Sequence, residues 1–320
     1  MRAFRNLCTG FAISLAAGSA SAQFPAKPVR VIVPFGAGSS TDIVMRIIAQ
    51  PLGQALGQPV VVENKPGADG VIAAAEVARA APDGHTLLIA TNSPFSAAPH
   101  LRKKLPYDPV ADFTPISFAG NYTFFVVVHP GVPARTLSEL IAHAQANPGR
   151  LNYATGNTSS IVMTAMFASL ARIDIVHVPY KSEPPAITDL LSGTVQLMFS
   201  SYATVAPHLR EGRLRALVTT LPNRSPLLSD VPSIVEAGFP RFPIASWAGL
   251  FGPARMPREA AERLNREVNA ILKQPEVRQS LSRQAFEPRG SSSDELAAYV
   301  KEQLETWGKA IRGAGIQPEG

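Results

Sequence analysis

The chain has 320 residues, of which 46% are hydrophobic and 17% charged, so it is long enough to bury a sizeable core and to form two domains. Its formal net charge is +6, and apart from the run Arg102, Lys103 and Lys104 its basic residues are scattered. Proteins that bind nucleic acid concentrate basic residues in a stripe with aromatic residues among them, so this composition argues against a nucleic-acid partner.

The first 22 residues have the pattern of a cleavable secretory signal. Arg2 and Arg5 form a basic start, an apolar run follows at 11–17, and small residues precede Gln23. The apolar run is too short to span a membrane, so we expect a mature periplasmic chain that begins at about Gln23. Cys8, the one cysteine, lies within this signal. The mature chain is therefore expected to lack disulfides and thiolate metal sites.

Residues 29–42, with the sequence VRVIVPFGAGSSTD, contain the most informative local pattern in the chain. The apolar, β-branched run at 29–33 predicts a strand, the small residues at 36–40 predict a tight loop, and Thr41 and Asp42 begin a helical pattern. The first amides of a helix lack partners and lie at the positive end of its dipole, so they attract anions. The pattern therefore predicts an anion-binding loop.

Alternating strand and helix patterns continue along the first part of the chain. After a first helix, which Pro51 is expected to kink, the sequence predicts strands at 58–63 and 85–91 and a helix at 71–80. A polar stretch that contains several prolines then extends to about residue 118. We expect this stretch to be irregular.

A second set of elements begins near residue 123. Small polar residues at 156–160 form a second loop between a strand and a helix, which repeats the arrangement of the first loop. The strands of this part are predicted at 123–129, 151–155, 173–180, 195–200, 215–220 and 247–252. The capping box of Thr136 and Glu139 predicts the start of one helix, and another helix is predicted from the second loop to about residue 170. Further helices are predicted at 186–192, 204–210 and 258–273, and after the capping box of Ser292 and Glu295.

The alternation favours parallel sheets flanked by helices, with one small-residue loop in each of two sets. Open α/β sheets bind ligands beyond the carboxyl ends of their strands, so the two loops indicate two lobes that close on a ligand. We expect residues 23–122 and 246–320 to form the first lobe and residues 123–245 to form the second. Hinges are predicted near 119–123 and 240–246.

Enzymatic interpretations of the loops have weaker support. Residues 36–41 half match the dinucleotide pattern G-x-G-x-x-G, with Glu63 at the end of the next strand, but the third glycine is absent. The serines of the two loops are candidate nucleophiles of an exported hydrolase, but no G-x-S-x-G pattern occurs. Asp42 is a candidate catalytic carboxylate, but a structural role has more support, because Asp42 lies at the start of a helix and four residues before Arg46, a spacing that stabilises helices.

Several longer motifs occur in the order in which a known family has them. They are VPFGAGSSTD (33–42), ENKPGADG (63–70), ARAAPDGHTLLIAT (78–91), LPYDP (105–109), HVPYKSEPPAITDLLSG (177–193), PHLREGRLRAL (207–217), RSPLLSDVPSIVEAGFP (224–240) and WGKAIRGAGIQPE (307–319). Through them essentially the whole mature chain resembles the Bug-type (TctC-like) periplasmic solute-binding proteins of tripartite tricarboxylate transporters. The resemblance implies a two-lobed α/β fold of the periplasmic-binding-protein (Venus-flytrap) type, with a ligand cleft between the lobes.

The resemblance also implies that loops 35–42 and 155–160 hold a small carboxylate through amides, hydroxyls and bridging waters. Residues at the ends of nearby strands are expected to set specificity, and Trp247 is expected either to lie in the core or to contact the ligand. The candidate ligand-binding residues are Phe35, Ala37, Gly38, Ser39, Ser40, Thr41, Asp42, Asn92, Ser93, Thr155, Gly156, Asn157, Thr158, Ser159, Tyr180, Ser200 and Ser201.

Two departures from the family pattern fall within these loops. The family usually has Gly-Gly where this chain has Gly38 and Ser39, and residues 156–162 form a shorter second loop without the usual His. We expect a monomeric binding protein without enzymatic activity, cofactor or metal, whose partners are a small carboxylate and membrane permease subunits. A sensor kinase is the alternative partner, and the neighbouring genes would distinguish transport from sensing.

Overall fold

The computed structural model describes residues 24–240, 242, 246–313 and 315–318. The predicted signal segment and its cleavage site lie outside the described residues. Within the part of the chain that is described, no helix has the length and apolar character needed to cross a membrane.

Strands and helices alternate along most of the chain. The strands are β1 (Val29–Val33), β2 (Val60–Asn64), β3 (Thr86–Thr91), β4 (Phe113–Tyr122), β5 (Phe124–Val128), β6 (Asn152–Thr155), β7 (Val176–Pro179), β8 (Leu197–Ser201), β9 (Arg215–Thr219), β10 (Ser246–Pro253) and β11 (Phe286–Pro288). The helices are α1 (Ser40–Leu56), α2 (Val71–Ala78), α3 (Ala98–Leu101), α4 (Leu137–Ala146), α5 (Thr158–Ala171), α6 (Glu183–Ser192), α7 (Tyr202–Arg210), α8 (Arg258–Ile271), α9 (Pro275–Ser282) and α10 (Ser293–Gly313).

The described strands form two sheets, and both sheets are mixed. The first has the order β11-β4-β10-β3-β1-β2, in which β1 pairs in parallel with β2 and β3 while β10 pairs antiparallel with β3 and β4. The second has the order β7-β6-β8-β5-β9, in which β6 is parallel to β7 and β8 while β5 is antiparallel to β8 and β9. The prediction of parallel sheets was therefore wrong for the predicted strands β5, β9 and β10, while β4 and β11 were not predicted as strands at all.

The chain passes between the two sheets through a very short connection. Only Thr123 separates β4 from β5, and its amide donates to the carbonyl oxygen of Ala285 at 2.9 Å. The sequence predicted an irregular stretch to about residue 118 and a hinge near 119–123, whereas β4 is a continuous strand from Phe113 to Tyr122. The hinge stays a prediction. The division into two sheets confirms the two-lobed α/β fold class, and the lobe boundaries at residues 122 and 245 stay a prediction.

Helix ends follow the predicted capping patterns. The amide of Glu139 donates to Thr136 Oγ1 at 3.2 Å, and the amide of Glu295 donates to Ser292 Oγ at 3.2 Å, which confirms both capping boxes.

Trp247 is fully buried and its ring stacks on Phe118 with 6.3 Å between ring centroids. It therefore belongs to the core of the first sheet, as one of the two predictions for this residue had it.

Candidate functional site

The first loop, residues 35–42, connects β1 to α1. Ser39 is the N-cap of α1, and its Oγ accepts a hydrogen bond from the amide of Asp42 at 3.4 Å. Gly38 has a φ of 77°, in the left-handed region that favours glycine. The amides of Ser40 and Thr41 lie in the first helical turn, where the backbone offers no intrahelical acceptor. The loop thus presents unpaired N–H groups at the positive end of a 17-residue helix.

Asp42 stabilises this loop from behind. Its carboxylate is buried and accepts hydrogen bonds from the Gly38 amide at 2.9 Å, Arg46 Nε at 2.9 Å and Asn64 Nδ2 at 3.0 Å. Burial by itself raises the pKa of Asp42, but the bonds from Arg46, Gly38 and Asn64 outweigh it and hold the pKa below its usual value. The expected pairing with Arg46 is confirmed, and the charge of Asp42 is satisfied within the protein.

The second loop, residues 155–160, repeats this arrangement between β6 and α5. Asn157 is the N-cap of α5, and its Oδ1 accepts from the amide of Ser160 at 2.9 Å. Gly156 packs directly against the start of α6, so that a Cβ at this position would collide with the backbone nitrogen of Glu183. The sequence therefore needs glycine here because of a close backbone approach, and this approach brings α6 to the loop.

The two loops, which belong to different sheets, border one small cavity of about 20 Å³. Across it, Ser93 Oγ lies 3.2 Å from Ser159 Oγ and accepts from the Ser159 amide at 3.3 Å. A volume of this size holds about one water molecule, so a larger ligand requires the two loops to move apart. The lining residues are Phe35, Ser39, Ser40, Thr41, Thr91, Ser93, Tyr122, Phe124, Gly156, Asn157, Ser159, Glu183 and Ser246.

One hydroxyl in this lining has no partner within the described part of the chain. Thr91 ends β3, its side chain is only 4% exposed, and its Oγ1 is buried without a hydrogen-bond partner among the described residues. A buried hydroxyl of this kind costs free energy unless something satisfies it. Its position in the cavity lining points to a polar ligand atom or a water molecule as the missing partner.

Glu183 is the acidic residue of the cavity lining, and it is not among the residues predicted from the sequence. It is the first residue of α6 and is 3% exposed. Its Oε2 accepts from Ser201 Oγ at 2.8 Å and from Thr204 Oγ1 at 2.9 Å, while Oε1 lies 3.5 Å from Asn157 Nδ2. Burial raises the pKa of Glu183, although these neutral donors act in the opposite direction.

The predicted site residues fall into three groups. Those that line the small cavity are Phe35, Ser39, Ser40, Thr41, Ser93, Gly156, Asn157 and Ser159. Three others, Thr155, Thr158 and Tyr180, line a larger cavity of about 770 Å³. The remaining predicted residues, Ala37, Gly38, Asp42, Asn92, Ser200, Ser201 and Trp247, line neither cavity.

Most residues of the third group are hydrogen-bonded within the protein. Asn92 Oδ1 accepts from Ser246 Oγ at 3.2 Å and from the Trp247 amide at 3.1 Å, so it holds β10 at the cavity. Ser201 donates to Glu183, and Ser200 Oγ lies 3.1 Å from Thr204 Oγ1. These serines lie behind the carboxylate of Glu183, where they position it.

The lining residues that sequence reasoning missed are Thr91, Tyr122, Phe124, Glu183 and Ser246. Thr91 and Tyr122 end strands and Ser246 begins one, so a search of strand ends would have found them once β4 had been recognised. Tyr122 donates from its hydroxyl to Thr41 Oγ1 at 3.1 Å and thereby joins the end of β4 to the first loop. Glu183 has only a weak sequence signal, namely its place at the start of a helix.

Two sheets, with helices from both lobes beginning at a shared cavity, define a two-lobed α/β binding protein. Residues 44–316 match the family described as "Tripartite tricarboxylate transporter family receptor", so the chain belongs to that family. It is 32% identical to protein BugT of Bordetella pertussis, over 95% of this chain and 94% of that protein. The resemblance to Bug-type (TctC-like) periplasmic solute-binding proteins is thereby confirmed.

Solved structures agree with this assignment. The chain is similar to a protein of R. palustris described with adipate, at a TM-score of 0.90 and 32% identity, over 92% of this chain and 100% of that chain. It is also similar to MatC from Rhodopseudomonas palustris with bound malate, at a TM-score of 0.85 and 34% identity, over 90% of this chain and 100% of that chain. The chain is accordingly a solute-binding protein of a periplasmic family.

Proposed function

We propose that this protein captures a small carboxylate between the first and second loops and delivers it to a tripartite tricarboxylate-type membrane transporter. The observation that carries the proposal is the convergence of two helix N-termini, at Ser39 and Asn157, on one cavity. A carboxylate placed there accepts hydrogen bonds from amides of both lobes and lies at the positive ends of two dipoles. Adipate and malate, described with two similar proteins, are carboxylates.

The composition of the cavity supports a carboxylate held without a cationic side chain. Its lining contains amides, hydroxyls, aromatic rings and the carboxyl group of Glu183, and no Lys, Arg or His is found in that lining among the described residues. Amide and hydroxyl donors that are already in place reorganise little when an anion binds. Exclusion of water on closure strengthens each of their hydrogen bonds to the carboxylate.

Binding requires an opening and closing motion. The small cavity holds about one water molecule, and the contact between Ser93 and Ser159 closes it from both sheets. We infer that the ligand enters when this contact is broken, and that the contact forms again around part of the ligand. A closed ligand-bound form is a shape that a membrane permease can distinguish from the open form.

We propose further that the protein is not an enzyme. The hydrolase interpretation predicts a serine next to a histidine, whereas Ser93 and Ser159 contact each other. Among the described residues, a hydroxyl next to an imidazole is that of Thr155, whose Oγ1 lies 2.7 Å from His177 Nε2 at the larger cavity. A threonine in mid-chain lacks the N-terminal amine that activates threonine nucleophiles. Incubation of the protein with esters and amides of its ligand is expected to give no turnover.

A thermal-shift screen of the chain from Gln23 onward tests the proposal. A ligand at 100 times its dissociation constant adds about 2.7 kcal/mol to the free energy of unfolding, which raises the melting temperature by several degrees. We expect a shift with at least one mono-, di- or tricarboxylate and none with the corresponding amides. Equal shifts with acids and amides, or no shift with any acid, would contradict carboxylate binding. Loss of uptake of the identified acid in cells that lack the protein would support delivery to a transporter.

A further inference from the structure

Three helices begin at the small cavity, and the third differs from the other two. Helices α1 and α5 have the N-caps Ser39 and Asn157, and each begins with residues that carry a backbone N–H group. The Ser159 amide of α5 donates to Ser93 Oγ, a contact between the two lobes that is expected to break when a ligand enters. Helix α6 begins with Glu183, and its next two residues are Pro184 and Pro185. Proline has no N–H group, so α6 lacks two of the amides with which a helix N-terminus binds an anion. In their place α6 presents the carboxylate of Glu183 to the cavity.

The charge of this carboxylate has no cationic partner among the described residues. Its hydrogen-bond donors are Ser201, Thr204 and Asn157, all neutral, and no salt bridge involves it. Tyr122, the other ionisable group in the cavity lining, is a phenol whose hydroxyl donates to Thr41. A buried ionised carboxylate without a cation is costly, and a ligand carboxylate beside it adds repulsion.

The two kinds of helix start therefore make the cavity dipolar. Amides of α1 and α5 favour negative charge on one part of its wall, while Glu183 favours positive charge or an N–H donor on another. A ligand that carries both a carboxylate and a protonated nitrogen satisfies both parts at once. A plain carboxylate satisfies only the amides and leaves Glu183 either repelled or neutralised by a proton.

We propose that the natural ligand is a zwitterion, a small carboxylate with a protonated amine, and that Glu183 is the residue that selects the amine. This inference rests on the proposed carboxylate-binding function and narrows its substrate class. Gly156 is part of the same arrangement, because its missing side chain lets the start of α6 approach the second loop. The carboxylate and amine sites thus lie next to each other, which suits an α-amino acid better than a ligand with distant charges.

Calorimetry with matched acids tests the proposal. For carbon skeletons of about three to six atoms with one or two carboxylates, the α-amino acid, the α-hydroxy acid and the unsubstituted acid are titrated into the mature protein at neutral pH. We expect the amino acid of at least one skeleton to bind ten or more times as tightly as its unsubstituted counterpart. In the variant Glu183→Gln that preference is expected to fall about tenfold, because an ionic hydrogen bond becomes a neutral one.

Glu276→Gln is the matched control, since Glu276 also lies in the first turn of a helix, α9, but is exposed. It should leave every affinity unchanged. Tighter binding of the unsubstituted acid in the wild-type protein overturns the proposal, and so does an unchanged preference in Glu183→Gln. If no acid of any kind binds, the carboxylate-binding function itself fails, so the two failures are distinguishable. If the variant Glu183→Gln does not fold, the comparison of amino acids with unsubstituted acids in the wild-type protein still tests the proposal.

Discussion

A buried acidic residue lies in the first turn of a helix on each side of the small cavity, Asp42 behind the first loop and Glu183 in the cavity lining, and the surroundings of the two residues are opposite. Asp42 of α1 is bonded to Arg46, Asn64 and the Gly38 amide, and its pKa is held below the usual value. Glu183 of α6 receives only neutral donors, and burial raises its pKa. Asp42 completes the first loop, whereas Glu183 has no cationic partner in the part of the chain that the structure describes.

This difference indicates that the two sides of the small cavity contribute differently to the proposed recognition of a ligand. The first side is the loop at 35–42, and the second side consists of the loop at 155–160 and Glu183. In the proposed function, the first loop is complete within the protein and its amides are available to any carboxylate. The second side combines α5 amides with the acidic group of Glu183, which is proposed to favour some ligands and repel others. The proposals therefore predict that affinity for an acid depends on both loops, while discrimination among acids depends on the second side.

The largest expected effect on ligand affinity comes from a second acidic side chain on the second side of the cavity. Ser159→Asp places a carboxylate in the cavity lining at the second position of α5, where it repels the ligand anion. Juxtaposed like charges cost several kcal/mol, so we expect carboxylate affinity to fall about 100-fold or more in calorimetry.

Ser138→Asp is the control for this variant. Ser138 occupies the same second position in α4, at an exposed site away from the cavity. It should bind the ligand as the wild type does. Retained affinity in Ser159→Asp would show that the anion does not bind at the second loop.

Replacement of one glycine in each loop by alanine is expected to have smaller effects, on stability in both variants and on ligand binding in one of them. Gly156→Ala forces a Cβ into the backbone at the start of α6, an overpacking that costs about 1–3 kcal/mol of stability. It should also weaken ligand binding, because it displaces Glu183. Gly38→Ala meets no atom within 4 Å, but its φ of 77° costs about 1–2 kcal/mol.

Urea unfolding and calorimetry separate the two glycines. Both variants are expected to lose stability, and only Gly156→Ala is expected to change the preference among acids. A changed preference in Gly38→Ala would place discrimination on the first loop and contradict the division described above.

The smallest effect is in the pH dependence of the ligand-free protein. The pKa of Glu183 is raised in the folded state, so its favourable contribution is present below the ordinary value of 4.5 and is lost as pH rises through the folded pKa. The pKa of Asp42 is lowered, so its contribution is present above the ordinary value of 3.8 and is lost as pH falls through the folded pKa.

Measurement of the melting temperature as a function of pH tests these two contributions to stability. Glu183→Gln should reduce the loss of stability on the alkaline side of pH 4.5, and Asp42→Asn should reduce the loss on the acid side of pH 3.8. If Glu183→Gln leaves the whole profile unchanged, the carboxyl group of Glu183 does not experience the burial described here.

Local sequence patterns predicted the two loops because their chemistry is local. A strand, a run of small residues and an N-cap lie next to one another in sequence, and Ser39 and Asn157 are N-caps as that pattern requires. β4 was missed because Pro115 and Gly120 interrupt its apolar pattern, and it is held by pairing with β10 and β11. Long-range pairing of this kind leaves little trace in the strand's own sequence.

Glu183 shows why the remainder of the site was not predictable. In sequence it is an acidic residue before two prolines, as in many exposed turns. Its burial arises from the close approach of α6 to Gly156 and from the hydroxyls of Ser201 and Thr204. These contacts join segments 18 to 27 positions apart in the chain. Asn92 lies 155 positions before Trp247, whose amide donates to its side chain, and this contact was likewise not predicted. Its role as a ligand contact stays a prediction.

A crystal structure of the mature protein with the acid found in the thermal-shift screen would show directly whether helices of both lobes hold the ligand. We predict that one carboxylate of the ligand accepts hydrogen bonds of about 2.7–2.9 Å from first-turn amides of both α1 and α5. A ligand whose carboxylate binds instead to Arg102 or Lys181, in the larger cavity, would contradict it.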